Sequence, residues 1–517
     1  MKRIITIILT ALFSLIYTIN SSYAVNSSRS IQSILPEFSQ KAEEAMIELH
    51  VPGMAIAIVK DDKVIYSKGF GVRQVNTNLK VTPETVFQVA SVSKPMTTTV
   101  LAMLIDKKTK ITFDSKIEDL DPDFELSNPY ISAHLTLADL LSHRSGLPDH
   151  SGDILEDLGY SKSEIIYRLR YIKQLDKFRL SNNYTNFGFS EAAYATARSL
   201  GTTWDSLFRQ YLIVPLNMKS TSTTFEDYEN TDNRAIGHML IDGKAIALDN
   251  NSKNSMLPKP RNPDAQAPAG GVSSNIIDMS QWLILQINEG KYQNKQLVDK
   301  NALKITHTPQ NIKGTINKDS WSFYGLGWNI SKDINGVVKI SHSGAFALGT
   351  RSEVAYLPKQ KVGIIVLSNA AITGLPEVVS QTFFDLLKNG KVTQDWVKII
   401  NDFVVNSMAY SNELSEKPKT VYPSLPLISY EGDYYNDYFG KIKIVKENDQ
   451  LIAIIGPKHI QFPLTHWNRD TFYLNTIGEN ATGPTLVEFS IGSNDKANHV
   501  IISAFNKFGT GEFEAIK

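Results

Sequence analysis

Residues 86–105 read VFQVASVSKPMTTTVLAMLI, and this stretch decides how the rest of the chain is interpreted. Its first five residues have the composition of a buried strand, and its last ten form an apolar helical run. Pro95 lies in the first turn of the predicted helix, where proline is tolerated. Ser91 and Lys94 are three residues apart, so a helical turn places them on one face. The stretch therefore predicts a serine and a lysine together at the positive end of a helix.

A serine hydroxyl needs a neighbouring base, or a cation that keeps a base deprotonated, to act as a nucleophile at neutral pH. Lys94 is placed to serve either purpose. The same Ser-x-x-Lys spacing recurs at Ser493 and Lys496, in a sequence that is typical of a turn. Only the first match stands between a strand and a helix, so Ser91 is the candidate nucleophile.

A second candidate element is Tyr184-Thr185-Asn186, which would supply a phenol and an amide near the nucleophile. The pattern alone is weak, because five other tyrosines have an asparagine two residues on: Tyr228, Tyr292, Tyr410, Tyr434 and Tyr473.

The third element is His342-Ser343-Gly344, which follows a predicted strand at 337–341. We expect this strand at a sheet edge, where it could donate a backbone N–H to a developing oxyanion, a contact worth about 3 kcal/mol. His342 could hydrogen-bond a substrate carboxylate or orient the tyrosine.

Other chemistries are disfavoured. The chain has 53 basic and 53 acidic residues, so a nucleic-acid partner is not expected. It has no cysteine, which excludes a thiol nucleophile and thiolate metal sites. Neither His-Glu-x-x-His nor Gly-x-Ser-x-Gly occurs, which disfavours a zinc hydrolase and an α/β-hydrolase. We expect no metal and no cofactor.

The N-terminus has the layout of a secretory signal peptide over residues 1–24. A basic start is followed by an apolar run at 4–19, and Ser22-Tyr23-Ala24 resembles a cleavage site. Cleavage near Ala24 predicts a periplasmic or secreted protein. The alternative is a retained membrane anchor.

The distribution of elements predicts an α+β fold. A helix is expected at 30–50 and another at 376–389; the strands between them are expected at 54–59, 64–66, 337–341, 352–357 and 362–368. Strands from both ends of this region would form one antiparallel sheet covered by helices. Residues 85–320 are mostly helical with loops, and the whole unit spans 25–400.

Residues 401–425 have the composition of a linker, and 426–517 predict a small all-β domain, a barrel or half-barrel. Its strands are expected at 440–445, 451–455, 471–474, 486–491 and 500–505.

With these positions in place, the chain resembles the class C β-lactamase-related family, which includes D,D-carboxypeptidases, D-aminopeptidases and some esterases. The resemblance covers about residues 30–390. It rests on VPGMAIA (51–57), LLSHRSGLP (140–148), PAGGVSS (268–274), YGLGW (324–328) and RSEVAYLP (351–358). It implies a β-lactamase/transpeptidase-like sheet flanked by helices, with a helical subdomain. Through YEG (430–432) and FPLTHW (462–467), the tail resembles a lipocalin-like domain.

The resemblance also implies roles for the candidate residues. Ser91 would attack a carbonyl and form an acyl-enzyme, with Lys94 holding Tyr184 as phenolate or acting as the base itself. Tyr184 would pass the proton to the leaving group and later activate water. Asn186 would bind a substrate amide, and the backbone N–H groups of Ser91 and Ala345 would form the oxyanion hole.

The implied substrate-binding strand carries one departure from the family's β-lactamases. They have Lys-Thr-Gly where this chain has His342, Ser343 and Gly344. Gly344 would let the substrate backbone approach the strand closely. A histidine is mostly neutral at pH 7, so efficient β-lactam hydrolysis is not expected.

The leading hypothesis is an exported peptidase or amidohydrolase that acts on D-amino-acid or peptidoglycan-like peptides. An esterase or a weak class C-type β-lactamase is the first alternative. A non-catalytic penicillin-binding sensor is the second. The expected partner is a small peptide, ester or β-lactam-like substrate, with peptidoglycan a further candidate. The natural substrate and the oligomeric state stay open.

Overall fold

The computed structural model describes residues 30–516, apart from 107–108, 175–176, 249–258, 315, 317–319, 409–413 and 415–417. The predicted signal peptide lies outside these residues. Within them, no helix combines the length and apolar character needed to cross a membrane.

An eight-stranded antiparallel sheet forms the centre of the first domain. In spatial order its strands are Lys63–Gly71, Gly53–Lys60, Val362–Ser368, Thr350–Leu357, Val338–Phe346, Asn329–Lys332, Trp321–Tyr324 and Asn311–Ile312. The N-terminal hairpin pairs with Val362–Ser368 near the other end of the domain, with Ala57 opposite Ile365. This confirms the predicted closure by distant segments.

Three helices cover one face of the sheet: Ile31–Glu48, Leu375–Asn389 and Trp396–Met408. Ser30 caps the first of them through a hydrogen bond from the Ser33 N–H. Phe38 and Phe383 meet edge to face between two of these helices, with ring centroids 5.5 Å apart. Burial of such apolar faces is the main stabilising contribution of this layer.

The other face carries a helical region that holds most of the remaining chain. Its α-helices are Ser93–Asp106, Ile117–Leu120, Pro129–His134, Leu137–Leu141, Asp153–Asp157, Lys162–Arg168, Asn186–Ser199, Trp204–Phe208, Val214–Leu216, Phe225–Glu229, Ala267–Gly270, Ile276–Ile287 and Lys300–Thr306. Short strand pairs interrupt it: Phe87–Gln88 with Ser273–Ser274, Lys291–Tyr292 with Lys295–Gln296, and His238–Ile241 with Lys244–Ala247 and Ala370–Ala371.

The C-terminal domain is a closed eight-stranded barrel, as the β-rich composition predicts. Its strands follow chain order and are Gly432–Asn436, Gly440–Glu447, Gln450–Ile455, Ile460–Asn468, Thr471–Asn475, Pro484–Ile491, Ala497–Ile502 and Glu512–Ala515. The first strand pairs with the last, with Tyr434 opposite Ala515. Closure leaves no exposed sheet edge.

Three expectations need correction. The helix Trp396–Met408 extends into the predicted linker 401–425, because Ile400 and Val404 pack with the core under the sheet. The predicted strand at 337–341 is not at a sheet edge, since Asn329–Lys332 pairs with residues 338–341, the first half of the observed strand Val338–Phe346. The predicted barrel strand at 500–505 ends at Ile502 and continues as a 3₁₀ turn.

Candidate active site

The nucleophile turn brings Ser91 to the start of the helix Ser93–Asp106. Ser91 itself lies in the 3₁₀ turn Ala90–Val92, directly before that helix. Ala90 has a positive φ of 47°, a conformation that costs a non-glycine residue roughly 1–3 kcal/mol. The Ser93 hydroxyl fixes the turn, since it donates to the Ala90 carbonyl and accepts from the Val272 N–H. Ser91 is partly exposed, whereas Lys94 is fully buried.

The contacts of Lys94 define what its amine can do. Its Nζ lies 2.8 Å from Asn186 Oδ1, 3.0 Å from the Ala269 carbonyl oxygen and 3.2 Å from Ser91 Oγ. The first two partners accept hydrogen bonds in these contacts, so they take two N–H donors. A neutral amine has two N–H groups and one lone pair, and the lone pair then faces the Ser91 hydroxyl. Lys94 is therefore arranged to accept the serine proton.

Tyr184 lies on the other side of the nucleophile. Its hydroxyl donates to Ser91 Oγ over 2.9 Å, and its ring centroid is 4.5 Å from Lys94 Nζ. The structure thus brings together Ser91, Lys94 and Tyr184, which lie more than ninety residues apart at their extremes.

Burial sets the protonation of this group. It lowers the pKa of Lys94 well below that of a free lysine, while the carboxylate of Asp153 raises it and the charge of Lys313 lowers it further. Burial also raises the pKa of Tyr184 above its ordinary value. A neutral amine beside a neutral phenol is therefore favoured over an ammonium–phenolate pair. Of the two mechanisms that the sequence left open, this favours Lys94 as the base.

Asn186 begins the helix Asn186–Ser199 and holds Lys94 in place. Its Oδ1 accepts from Lys94, and its Nδ2 donates to Asp153 Oδ2 over 2.9 Å. We expected Asn186 as a ligand of the substrate amide. In the structure the Asn186 side chain hydrogen-bonds the amine of Lys94, and the Asp153 carboxylate holds Asn186 in turn.

Gly344 lies directly against the nucleophile turn. A Cβ atom at this position would be 2.3 Å from the Val89 carbonyl oxygen and 2.9 Å from the Ser91 nitrogen. The glycine is thus required by the protein's own packing, not only by the approach of a substrate backbone. The strand Val338–Phe346 pairs with Thr350–Leu357 along this part, and no described strand pairs with its other edge beyond Ser341. Ala345 therefore lies next to Gly344 on the part of the strand whose other edge is open, and its role as an oxyanion donor stays a prediction.

Two predicted substrate ligands are turned to other partners. His342 lies within the strand, is 4% exposed, and has both ring nitrogens in use. Its Nδ1 is 2.7 Å from the Ser343 carbonyl oxygen, so Nδ1 carries the proton; its Nε2, 3.1 Å from Tyr324 Oη, accepts from that hydroxyl. The Ser343 hydroxyl donates to Glu353 Oε2 over 2.7 Å, on the face away from Gly344. The structure thus assigns both side chains partners within the protein, and their binding of substrate stays a prediction.

Sequence reasoning missed three residues beside the site. His143 packs against the Tyr184 ring with centroids 4.3 Å apart, and its Nδ1 accepts from the Thr185 N–H. Its motif, LSHRSGLP, was the available signal.

Lys313 donates to Asn329 Oδ1 over 2.5 Å and lies 5.3 Å from the Tyr324 ring centroid. Burial lowers the pKa of Lys313 to about 8. The stretch YGLGW was the corresponding signal for Tyr324, whereas no local pattern marks Lys313 as a site residue.

The charge of Lys313 influences the whole site. It lowers the pKa values of Lys94, His143 and His342, in each case after the larger effect of burial. In the described part of the chain, no group of three or more His, Cys, Asp or Glu side chains is placed to hold a metal ion.

A buried lysine and a tyrosine that flank one serine hydroxyl, beside an antiparallel sheet, are the arrangement of serine hydrolases with a Ser-x-x-Lys nucleophile. A family model described as Beta-lactamase matches residues 38–379, and the chain belongs to this family. A second family model, described as a domain of unknown function, matches residues 416–513 and so covers the barrel.

Curated relatives are similar to this chain in sequence, and a solved structure is similar to it in fold. An unguisins hydrolase of Aspergillus campestris is 25% identical over 489 residues, which cover 88% of this chain and 87% of the relative. Protein flp of Staphylococcus aureus (strain MW2) is 23% identical over 68% of this chain and 65% of its own length. The octameric penicillin-binding protein homologue from Pyrococcus abyssi has a TM-score of 0.59 at 22% identity, covering 93% of this chain and 99% of that one. The last similarity concerns the fold.

Proposed function

We propose that this protein is an exported peptidase or amidohydrolase that forms an acyl-enzyme at Ser91 and acts on D-amino-acid or peptidoglycan-like peptides. The observation that carries the proposal is the contact of the Ser91 hydroxyl with both Lys94 and Tyr184. The export part rests on the apolar segment at 4–19 and Ser22-Tyr23-Ala24.

The acylation step follows from the hydrogen bonds. Lys94 Nζ takes the proton of the Ser91 hydroxyl as Oγ forms a bond to the substrate carbonyl carbon. The carbonyl electrons move to oxygen, and the N–H groups of Ser91 and Ala345 stabilise that charge. The amine then leaves with a proton from Tyr184, which Lys94 replenishes. The second hydrogen of Asn186 Nδ2 is available for a substrate carbonyl.

Deacylation reverses these roles with water as the nucleophile. Water lies where the amine left and attacks the acyl carbon. Tyr184 takes a proton from this water as it passes its own phenol proton to Lys94, and the protonated Lys94 returns that proton to Ser91 Oγ as the acid product departs. The chemistry requires no metal ion, because the base is a neutral amine and the oxyanion is held by backbone donors.

A substrate panel tests this proposal. Wild type and Ser91→Ala are incubated with a fluorescent penicillin, a fluorophosphonate, a nitrophenyl ester and D-amino-acid peptides. We expect turnover of the peptides and loss of all turnover in Ser91→Ala. A preference for the ester or the penicillin over every peptide would instead support the esterase or β-lactamase alternative. A wild type that takes neither label and turns over nothing would end the enzymatic proposal.

The matched control is Ser493→Ala. Ser493 belongs to the second Ser-x-x-Lys match, and the structure places it in an exposed turn of the barrel. This variant should keep full activity. Export is tested separately by the N-terminal sequence of the protein recovered from the host's periplasm or medium, which should begin after Ala24.

A further inference from the structure

The barrel contacts the catalytic domain through a loop at residues 476–483, between the strands Thr471–Asn475 and Pro484–Ile491. Glu479 in this loop reaches the first domain. Its Oε1 accepts from the Ala347 N–H over 2.6 Å, and its Oε2 accepts from the Leu348 N–H over 3.0 Å. These two amides directly follow the strand that carries Ala345.

The catalytic domain holds the loop by a reciprocal contact. Asp157 Oδ1 accepts from the Glu479 N–H over 3.0 Å, and its Oδ2 accepts from the Asn480 N–H over 2.9 Å. The neighbouring Gly478 has a φ of 89°, and a Cβ there would lie 2.3 Å from Asp157 Oδ1. Each domain therefore contributes one carboxylate that binds two consecutive backbone N–H groups of the other.

The loop at 476–483 also contacts the helix that carries Asp153, the residue that holds Asn186 and, through it, Lys94. Asp157 ends the short helix Asp153–Asp157, and Asn480 Nδ2 donates to the Asp153 carbonyl oxygen over 3.1 Å. Asp153 in turn accepts from Asn186, which orients Lys94. One barrel loop thus touches the elements behind both the oxyanion strand and the base.

We infer that Glu479 is a positioning residue of the active site, which fixes the end of the oxyanion strand so that the Ala345 N–H meets the tetrahedral intermediate. The inference rests on the proposed acyl-enzyme function. Its physical basis is that a small misplacement of a catalytic donor costs a large factor in rate. The barrel is then a part of the catalytic apparatus and not a separate binding module.

The environment of the Glu479 carboxyl group predicts a pH dependence of activity that can be measured. Arg261 and Asp157 are the charged groups that face it, and Arg261 is itself paired with Glu156. Burial raises the pKa of Glu479 to about 7 against the opposing effect of Arg261. A carboxylate accepts both N–H groups, whereas the protonated acid holds them less well. Activity through this contact should therefore fall as the pH drops below about 7.

The test compares wild type, Glu479→Gln and Glu479→Ala in the full chain, with the panel substrate that turns over fastest. A boronic acid that binds a serine as a tetrahedral adduct reports on the oxyanion hole. For Glu479→Ala we expect kcat to fall about 10- to 100-fold with little change in KM, and boronate affinity to fall by the same factor. For Glu479→Gln, the limb near pH 7 should disappear from the kcat profile. Glu488→Gln, at an exposed position of the barrel, is the matched control and should behave as wild type.

The outcomes separate this inference from the proposed function. If wild type turns over substrate but both Glu479 variants keep its kcat, boronate affinity and pH profile, the inference is wrong and the hydrolase proposal stands. If wild type shows no turnover and no label at Ser91, both fail together. If Glu479→Ala does not fold, the kcat profile of Glu479→Gln tests the inference. Loss of the limb near pH 7 supports a positioning role for Glu479, and an unchanged profile overturns it.

Discussion

The amine of Lys94 lies 3.2 Å from the hydroxyl oxygen of Ser91, and its two other hydrogen-bond partners are both acceptors. This relationship determines which proton state can work. A neutral Lys94 donates to the two acceptors and accepts from Ser91, whereas an ammonium would donate in all three contacts and leave the serine proton without a base. We therefore expect activity to be lost when Lys94 is protonated.

The charge of Lys313 should set the pH at which this loss occurs. Lys313 lowers the pKa of Lys94, so Lys313→Met should raise that pKa. The acid limb of kcat/KM then moves to higher pH, by roughly half a unit to one unit. Lys313→Arg keeps the charge and is the control. A pH profile of Lys313→Met that coincides with wild type would show that Lys94 does not sense this charge.

The charge of Asp153 should shift the acid limb of the pH profile in the opposite direction to that of Lys313. Its carboxylate raises the pKa of Lys94, so Asp153→Asn should lower that pKa and extend activity to more acidic pH by a similar amount. Asparagine keeps an acceptor for the Nδ2 of Asn186, which limits the structural change. The measurement is again the pH profile of kcat/KM. An acid limb that moves upward would contradict the assignment of Lys94 as the base.

Tyr184→Phe should retain the ring packing on His143 but remove the hydroxyl that touches Ser91. Because the proposed mechanism has the phenol pass a proton to the leaving group during acylation, we expect kcat/KM for an amide substrate to fall about 10²- to 10⁴-fold. The loss should be smaller for a nitrophenyl ester, whose leaving group needs no proton. Equal losses for amide and ester would argue against this role.

Gly344→Ala should damage stability and activity together. Its Cβ would lie against the Val89 carbonyl and the Ser91 nitrogen, and such overpacking costs about 1–3 kcal/mol. Thermal unfolding and turnover measure the two effects. Gly432→Ala is the control, since its Cβ would meet its nearest neighbour at 3.6 Å, an ordinary contact. A Gly344→Ala protein with wild-type stability would show that the strand can move away.

Much of this molecule could be predicted from local patterns. The apolar periodicity that defines the N-terminal helix, its hairpin and the last strands of the sheet is local, and so is the strand–Ser91–helix order. The direction of the Ser343 side chain could also be predicted. Side chains alternate along a strand, and Gly344 faces Ser91, so Ser343 points to the opposite face. The helix at 396–408 was visible too, in the spacing of Trp396, Ile400 and Val404.

Other features depend on contacts between distant parts of the chain. Nothing in the local sequence indicates that the Tyr324 hydroxyl donates to His342. The effect of the Lys313 charge on the pKa of Lys94 also depends on how distant parts of the chain come together. The contact of Glu479 with Ala347 joins residues 132 positions apart in two domains. Such features follow from tertiary packing, which local patterns do not encode.

The site of covalent labelling tests most directly whether Ser91 is the nucleophile. The full chain is treated with a fluorophosphonate, and its mass is measured intact and after proteolysis, for wild type, Ser91→Ala and Ser493→Ala. We expect one adduct on the peptide that contains Ser91, in wild type and Ser493→Ala alike, and none in Ser91→Ala. An undiminished adduct in Ser91→Ala, or an adduct mapped to another serine, would contradict this expectation.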